Sequence, residues 1–257
     1  MTPARFALLL SALALLATPA ISTRTARATT IAPLTSVPCS ADAHLAAPHF
    51  SASTLRQGRF AYRLATGKDT STFTLEIRRR ADGTWRFTGD GSGQHWEAIS
   101  DSAFRPRSSE LSMQRHGHPY GFQLRYAGDS VFALVTKYDS ASGPIKERIS
   151  TEMHGTTIDQ RIDWASLMAS DLAIGQSAAY SVYDPATGSS QLTASASDGP
   201  TLESPGGPRA TVKLDYTICK AGESESYTVF ATKESPRMML RENLRGSIVA
   251  KLVRIEP

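Results

Sequence analysis

The chain has 257 residues, 40% of them hydrophobic and 20% charged, with 28 Lys+Arg against 24 Asp+Glu for a formal net charge of +4. Arg5, Arg24 and Arg27 fall within the first 28 residues, so the rest of the chain holds 25 basic against 24 acidic groups, a net charge of +1. A surface so close to neutral lacks the electrostatic footprint that binding to nucleic acid or an anionic membrane requires.

Phe6 to Ala17 are almost wholly apolar, Pro19 and Ala20 break the run, and Ala26-Arg27-Ala28 supplies a small-x-small cleavage pattern. This predicts a secretory leader over 1–28, too short and too weakly flanked to remain as a membrane anchor. The mature protein is therefore expected in the periplasm, with no transmembrane segment. Residues 29–54 are rich in Thr, Ala, Pro and Ser, show no period, and predict a flexible arm. Val37-Pro38-Cys39 lacks the Leu-small-small lead-in of a lipid-attachment site. In an oxidising compartment Cys39 and Cys219, the two cysteines, are expected to pair, with two separate thiols as the alternative. The bridge would close a loop of about 180 residues and contribute on the order of several kcal/mol in the chain-entropy account.

Residues 55–257 suffice for one domain with a sizeable core. Strand patterns dominate it. Phe73, Leu75 and Ile77 alternate with polar neighbours, as do Tyr120, Phe122, Leu124 and Tyr126, and then Ala210, Val212, Leu214, Tyr216 and Ile218. Each is a period-2 strand with one apolar face. Further strands are predicted near 58–65, 84–90, 93–100, 130–138, 145–151, 178–184, 189–196, 225–232 and 246–255. Turn chemistry separates them at Asp82-Gly83, Gly89 to Gly93, Gly128-Asp129, Asp184 to Gly188 and Ala221-Gly222. One segment departs from this rhythm. Ile158, Ile162, Ala165, Met168 and Leu172 recur at helical spacing, with Thr157 or Asp159 at the start and Gly175 past the end. That predicts one amphipathic helix near 158–172, covering part of the apolar face of the sheet.

No catalytic motif stands out. His116-Gly117-His118 offers two imidazoles, with His95 or His154 as further ligands, but zinc sites need a third and fourth ligand placed by the fold, and a polar turn explains the pair as well. Gly89-Asp90-Gly91-Ser92-Gly93 lacks the helix that a phosphate cradle requires after it, and reads as a hairpin loop. No G-x-S-x-G occurs. Asp101, Asp163, Asp171 and Asp184 are explained as caps and turns. Arg78-Arg79-Arg80 reads as a solvated sheet edge that discourages strand pairing, and Met238-Met239 as core filling. No cofactor is implied.

The order of elements resembles a bacterial periplasmic family of unknown function related in fold to the LolA/LolB-like lipoprotein carriers. The pieces that carry the resemblance are Phe104-Arg105-Pro106 closing a first group of strands before a polar stretch, the helix from Asp159 to Leu172 followed by Gly175, and the strand from Tyr180 ending in Asp184-Pro185-Ala186-Thr187-Gly188. Ser204-Pro205-Gly206-Gly207 before the long strand at 209–220, and Ser235-Pro236-Arg237 ahead of Gly246 and the closing strand, complete it. The resemblance implies a mainly β, half-open antiparallel barrel with one helix at its concave side. It brings no catalytic residues.

In such a fold Phe73, Leu75, Ile77, Phe122, Leu124, Tyr126, Ile162, Met168, Val212, Leu214 and Tyr216 would line one cavity between sheet and helix, suited to a lipid or a lipoprotein acyl chain. The expected function is non-enzymatic binding of such a ligand by a monomer. The alternative is an envelope interaction module whose core those same side chains fill. An open cavity of a few hundred Å3 would separate the two.

Overall fold

The structure, a computed structural model, describes residues 45–256 apart from 141, 154, 221, 222, 245 and 246. The leader at 1–28, Cys39, and the Ala221-Gly222 turn lie outside the described residues.

The chain is mainly β. Its first half runs as a meander of β1 (Gly58–Thr66), β2 (Asp69–Arg79), β3 (Trp85–Gly91), β4 (Gln94–Ser100), β5 (Pro106–Arg115), β6 (His118–Ala127), β7 (Ser130–Asp139) and β8 (Gly143–Glu152). A short β9 (Thr157–Asp159) leads through a 3-10 turn (Gln160–Ile162) into the helix α1 (Asp163–Met168). The second half holds β10 (Ser177–Asp184), β11 (Gly188–Asp198), the small hairpin β12 (Leu202–Ser204) and β13 (Gly207–Arg209), then β14 (Thr211–Lys220), β15 (Glu223–Thr232), β16 (Met239–Leu244) and β17 (Ile248–Glu256). Except for that hairpin, the strands form one sheet of order β8-β7-β6-β5-β4-β3-β2-β1-β17-β16-β15-β14-β11-β10-β9. The first and last strands of the domain pair antiparallel at its centre, from Arg59↔Glu256 to Thr66↔Ile248. The sheet is not closed: β8 ends one side and β9 the other.

The period-2 patterns place the core as they predict. Phe73, Leu75 and Ile77 face inward from β2, Phe122, Leu124 and Tyr126 from β6, and Val212, Leu214 and Tyr216 from β14, all buried. These faces join α1 in one contiguous apolar cluster, so both halves of the sheet bury the same helix. Burying a leucine-sized side chain is worth roughly 1.5–3 kcal/mol, and this shared core is what holds so wide a sheet together.

Two glycines admit close contacts within the sheet. A Cβ on Gly89 would fall inside the Trp96 indole and 2.6 Å from Cζ of Phe73, and one on Gly121 would strike the backbone oxygen of Leu111. Both positions therefore admit an approach that any side chain would block.

The structure corrects four sequence expectations. The helix is six residues long, not the span 158–172, and it is not amphipathic, because every residue from Gln160 to Met168 is buried. Its first residues are drawn into β9, which pairs parallel with β10. Beyond Met168 the chain turns out to bridge Phe50 through Ser170, so Leu172 is buried by a loop and not by a helix face. The flexible arm ends earlier than residue 54. Phe50, Ala52 and Leu55 are buried, and the backbone of this segment bonds to Ala169, Ser102 and Arg237. Ala- and Ser-rich composition hides those anchors. The polar stretch after Pro106 is the strand β5, whose inward positions Ser109, Leu111 and Met113 mix one hydroxyl into the apolar face and blur the alternation. Arg78 and Arg79 end β2, an interior strand between β1 and β3, so they guard no edge; Arg78 pairs with Glu76 on its own strand.

Candidate functional site

The sequence Ile158-Asp159-Gln160-Arg161-Ile162-Asp163-Trp164 puts three charges into an otherwise apolar frame, and the fold buries all three. Asp159 caps the 3-10 turn by accepting from the Arg161 backbone N–H at 2.9 Å, and its Oδ1 also accepts from Nε of Arg161. The Arg161 Nη1 donates to Oδ2 of Asp184 at 2.8 Å, and Nη2 reaches the Tyr183 carbonyl at 3.4 Å. Asp184 also holds the β10–β11 turn by accepting from the Ala186 N–H at 2.8 Å. Tyr126 donates to Oδ2 of Asp159 at 2.6 Å. The guanidinium lies 4.5 Å from the centre of the Phe122 ring. This network ties β6, β9, β10 and the 3-10 turn that leads into α1 together.

Its electrostatics follow from burial. Burial disfavours the Arg161 charge, but Asp159 and then Asp184 outweigh it and hold that pKa above its ordinary value. Burial, reinforced by Asp159, pushes the Tyr126 phenol well above the usual range. Tyr120 is pushed up to about 12, first by burial and then by Asp184. Across the core, burial and then Glu242 raise the Tyr62 phenol. Glu242 accepts from Tyr216 at 3.0 Å, and Tyr62 donates to the Met239 carbonyl at 3.0 Å.

Between sheet and helix lies a cavity of about 60 Å3. Phe73 and Leu75 line it, with Tyr62, Trp96, Gln160, Arg161, Trp164 and Glu242 among its other walls. Ile77, Phe122, Leu124, Tyr126, Ile162, Met168, Val212, Leu214 and Tyr216 are buried in the same core and do not line that space. Ligand sites run to about 300–1,000 Å3, and this cavity lies below that range.

A larger space lies over the first half of the sheet. A cleft of about 920 Å3 lies over β6, β7 and β8, below the turn that carries Pro185 and Ala186. Tyr120, Val135 and Ile149 form its apolar floor; Arg115, His116 and His118 stand at one rim. Lys137 and Glu147 also face it and pair with each other at 2.6 Å. His118 stacks on Tyr138, 3.6 Å between ring centres. Tyr120 is the link between cleft and buried network, since it lines the first and feels the charge of Asp184 in the second. The sequence reading missed both Arg161 and the cleft. The signal for Arg161 was available, as a charge between Ile158 and Ile162 on the face assigned to the core. The cleft had no local signal, because it needs the β10–β11 turn to sit over a strand hairpin far away in sequence.

The other candidates resolve as structure. Asp101 accepts from the backbone of Ala103 and Arg105, and Asp171 from His49. Gly89 to Gly93 joins β3 to β4, and His116-Gly117 joins β5 to β6. Met238 and Met239 are buried. Cys219 lies in β14, opposite Gln191 and Ser224. Among the described residues no group of three His, Cys, Asp or Glu side chains is arranged to hold a metal ion, and no helix is long and apolar enough to cross a membrane.

A family model described as "Protein of unknown function (DUF3108)" matches residues 49–253. No curated protein matches the chain. Among solved structures, the chain is similar to MucB in a complex with MucA(peri), at 9% identity over 79% of this chain and 90% of that one, with a TM-score of 0.21. A second structure, the Pseudomonas aeruginosa MucA/MucB complex, aligns at 11% identity over the same shares with a TM-score of 0.19. Overlap that low carries no argument about this chain.

Proposed function

We propose, for a chain that belongs to the DUF3108 family, a non-enzymatic binding role in the bacterial cell envelope, with the cleft over β6–β8 as the place where a partner docks. The leader pattern at 1–28 supports export to the periplasm. A half-open barrel describes the architecture: both halves of the sheet turn their apolar faces to one core, while β8 and β9 stay unpaired with each other. The observation that supports the binding reading is the contrast in space, about 60 Å3 between sheet and helix against about 920 Å3 over the first half of the sheet. The core acts as a wedge that holds the wing β5–β8 open, and the wing does the binding.

A second reading, binding of a lipid or lipoprotein acyl chain, draws support from the floor of Tyr120, Val135 and Ile149. In this reading the chain lies along the cleft and does not enter the core.

Photo-crosslinking in the periplasm of an expressing host tests the proposal. A photoreactive residue replaces Tyr138, which is 43% exposed in the cleft, or Val253, which is 44% exposed on β17 away from it. Crosslinks to protein from position 138 and none from 253 are expected. Equal labelling at both, or none at either, overturns the docking reading. Native mass spectrometry without delipidation tests the second reading. A lipid adduct lost in Ile149→Asp would establish it, and a bare mass with no uptake of added fatty acid or phospholipid would remove it.

A further inference from the structure

The two ends of the sheet are unlike. At one end β9 is three residues long and fully buried. At the other, β8 presents ten residues that, among the described residues, pair only with β7, and none of its side chains is fully buried. A long open edge offers a row of backbone donors and acceptors to another strand, and proteins usually blunt it with Pro or like charges. Here Pro144 blocks only the start, and the charges that follow alternate in sign: Lys146, Glu147, Arg148, Glu152.

We infer that β8 is a homodimer edge, pairing antiparallel with β8 of a second copy about a two-fold axis through Ile149. Two-fold pairing of identical strands sets residues i and j opposite each other with a constant sum, and only even sums keep each side chain on its own face. About Ile149, Lys146 of each copy faces Glu152 of the other, Arg148 faces Ser150, Glu147 faces Thr151, and Ile149 faces itself. Seven residues overlap, two ion pairs form, and no like charges meet. Neighbouring registers do worse. An axis at Glu147 sets Lys146 against Arg148, an axis at Arg148 sets that residue against itself, and an axis at Ser150 leaves only five residues of β8 overlapping.

A second observation supports the same register independently. Phe132, on β7, is 49% exposed and sits directly across from Ser150. In the dimer, Arg148 of the second copy comes next in that row, about two strand spacings from Phe132 (~9.6 Å), with only the small Ser150 between. A guanidinium of that reach covers the ring, giving the exposed aromatic a cation–π partner. The inference departs from the monomer that the sequence suggested. It does not depend on what occupies the cleft, although pairing at β8 would join the two clefts along the row Glu147, Ile149, Thr151.

Light scattering on the mature chain, with native mass spectrometry beside it, tests the pairing. Lys146 and Glu152 are exposed, so reversing either leaves the monomer fold intact. A mass of two chains is expected for the unaltered protein. Lys146→Glu and Glu152→Lys should each raise the dimer dissociation constant by about tenfold or more, because each sets two like-charge pairs opposite one another. The double reversal K146E/E152K should restore it. A single-chain mass at every concentration, or a dimer indifferent to the single reversals, overturns the inference.

Discussion

Arg161 and Asp184 meet at 2.8 Å in the interior, each with a side chain only 1% exposed. The pair joins the first turn after β9 to the end of β10, so it fixes where α1 lies against the sheet. Removing one member strands the other. Arg161→Met leaves Asp159 and Asp184 buried without their cation, and should cost about 3–5 kcal/mol. Lys137→Met removes the partly exposed Lys137–Glu147 pair and should cost no more than about 1 kcal/mol. Urea unfolding of both variants measures the difference. Equal small losses would mean that Arg161 is not the tie between helix and sheet.

Alkaline stability should follow the buried phenols. Tyr126 and Tyr62 have pKa values raised by burial and by Asp159 and Glu242 respectively, and Tyr120 is raised to about 12 by burial and then Asp184. The unfolded chain ionises its tyrosines near 10. Their contribution is therefore complete below pH ~10 and declines as pH rises from there through the folded values. Spectrophotometric titration of the eight tyrosines should show a late group, Tyr62 and Tyr126 among it, that appears only with unfolding. Tyr126→Phe should reduce the late group by one. A single titration at pH 10 with the fold intact would contradict the burial of these phenols.

Much of the sheet was legible in the sequence because a strand with one buried face writes its own pattern. Phe73, Leu75 and Ile77, or Val212, Leu214 and Tyr216, alternate without interruption, and the structure buries them as that alternation demands. The pattern fails where a polar residue takes an inward place, as Ser109 does in β5. It also fails where burial is complete. From Ile158 to Leu172 almost every side chain is enclosed, so helical spacing and loop burial leave the same trace, and a six-residue helix was read as a longer one. Phe50 was lost for the opposite reason: one anchor in an Ala- and Ser-rich stretch has no period at all. The cleft depends on strand order and on one distant turn, which no local window contains.

Close approach at two glycines leads to a graded expectation. At Gly89 an added methyl meets the Trp96 and Phe73 rings, side chains that can shift. At Gly121 it meets the backbone oxygen of Leu111, which is held by the β5–β6 ladder. Gly89→Ala should therefore cost roughly 1–3 kcal/mol, in line with ordinary overpacking, and Gly121→Ala more than that. Thermal unfolding of the pair gives the order. If Gly121→Ala proves the milder of the two, β6 is free to move away from β5 at that position.

The bond between Cys39 and Cys219 is a question of mass before it is one of structure. A protein exported to an oxidising compartment with two cysteines is expected to join them, and the intact mature chain should then weigh two hydrogens less than the reduced one. Cys219 stands in β14, in the middle of the sheet's second half, whereas Phe50 and Leu55 pack near α1 and β16. The bridge would thus fasten the segment before Phe50 to a different part of the sheet from the one that residues 50–55 already grip. In the chain-entropy account a loop of about 180 residues is worth on the order of 5 kcal/mol, an upper figure because strain and residual structure reduce it. Cys219→Ser should lower the urea midpoint measurably while leaving the spectrum of the folded state unchanged. A mature mass equal to the reduced one would leave two thiols, and the burial of Phe50, Ala52 and Leu55 with the backbone bonds around them would then hold residues 49–55 without the bridge.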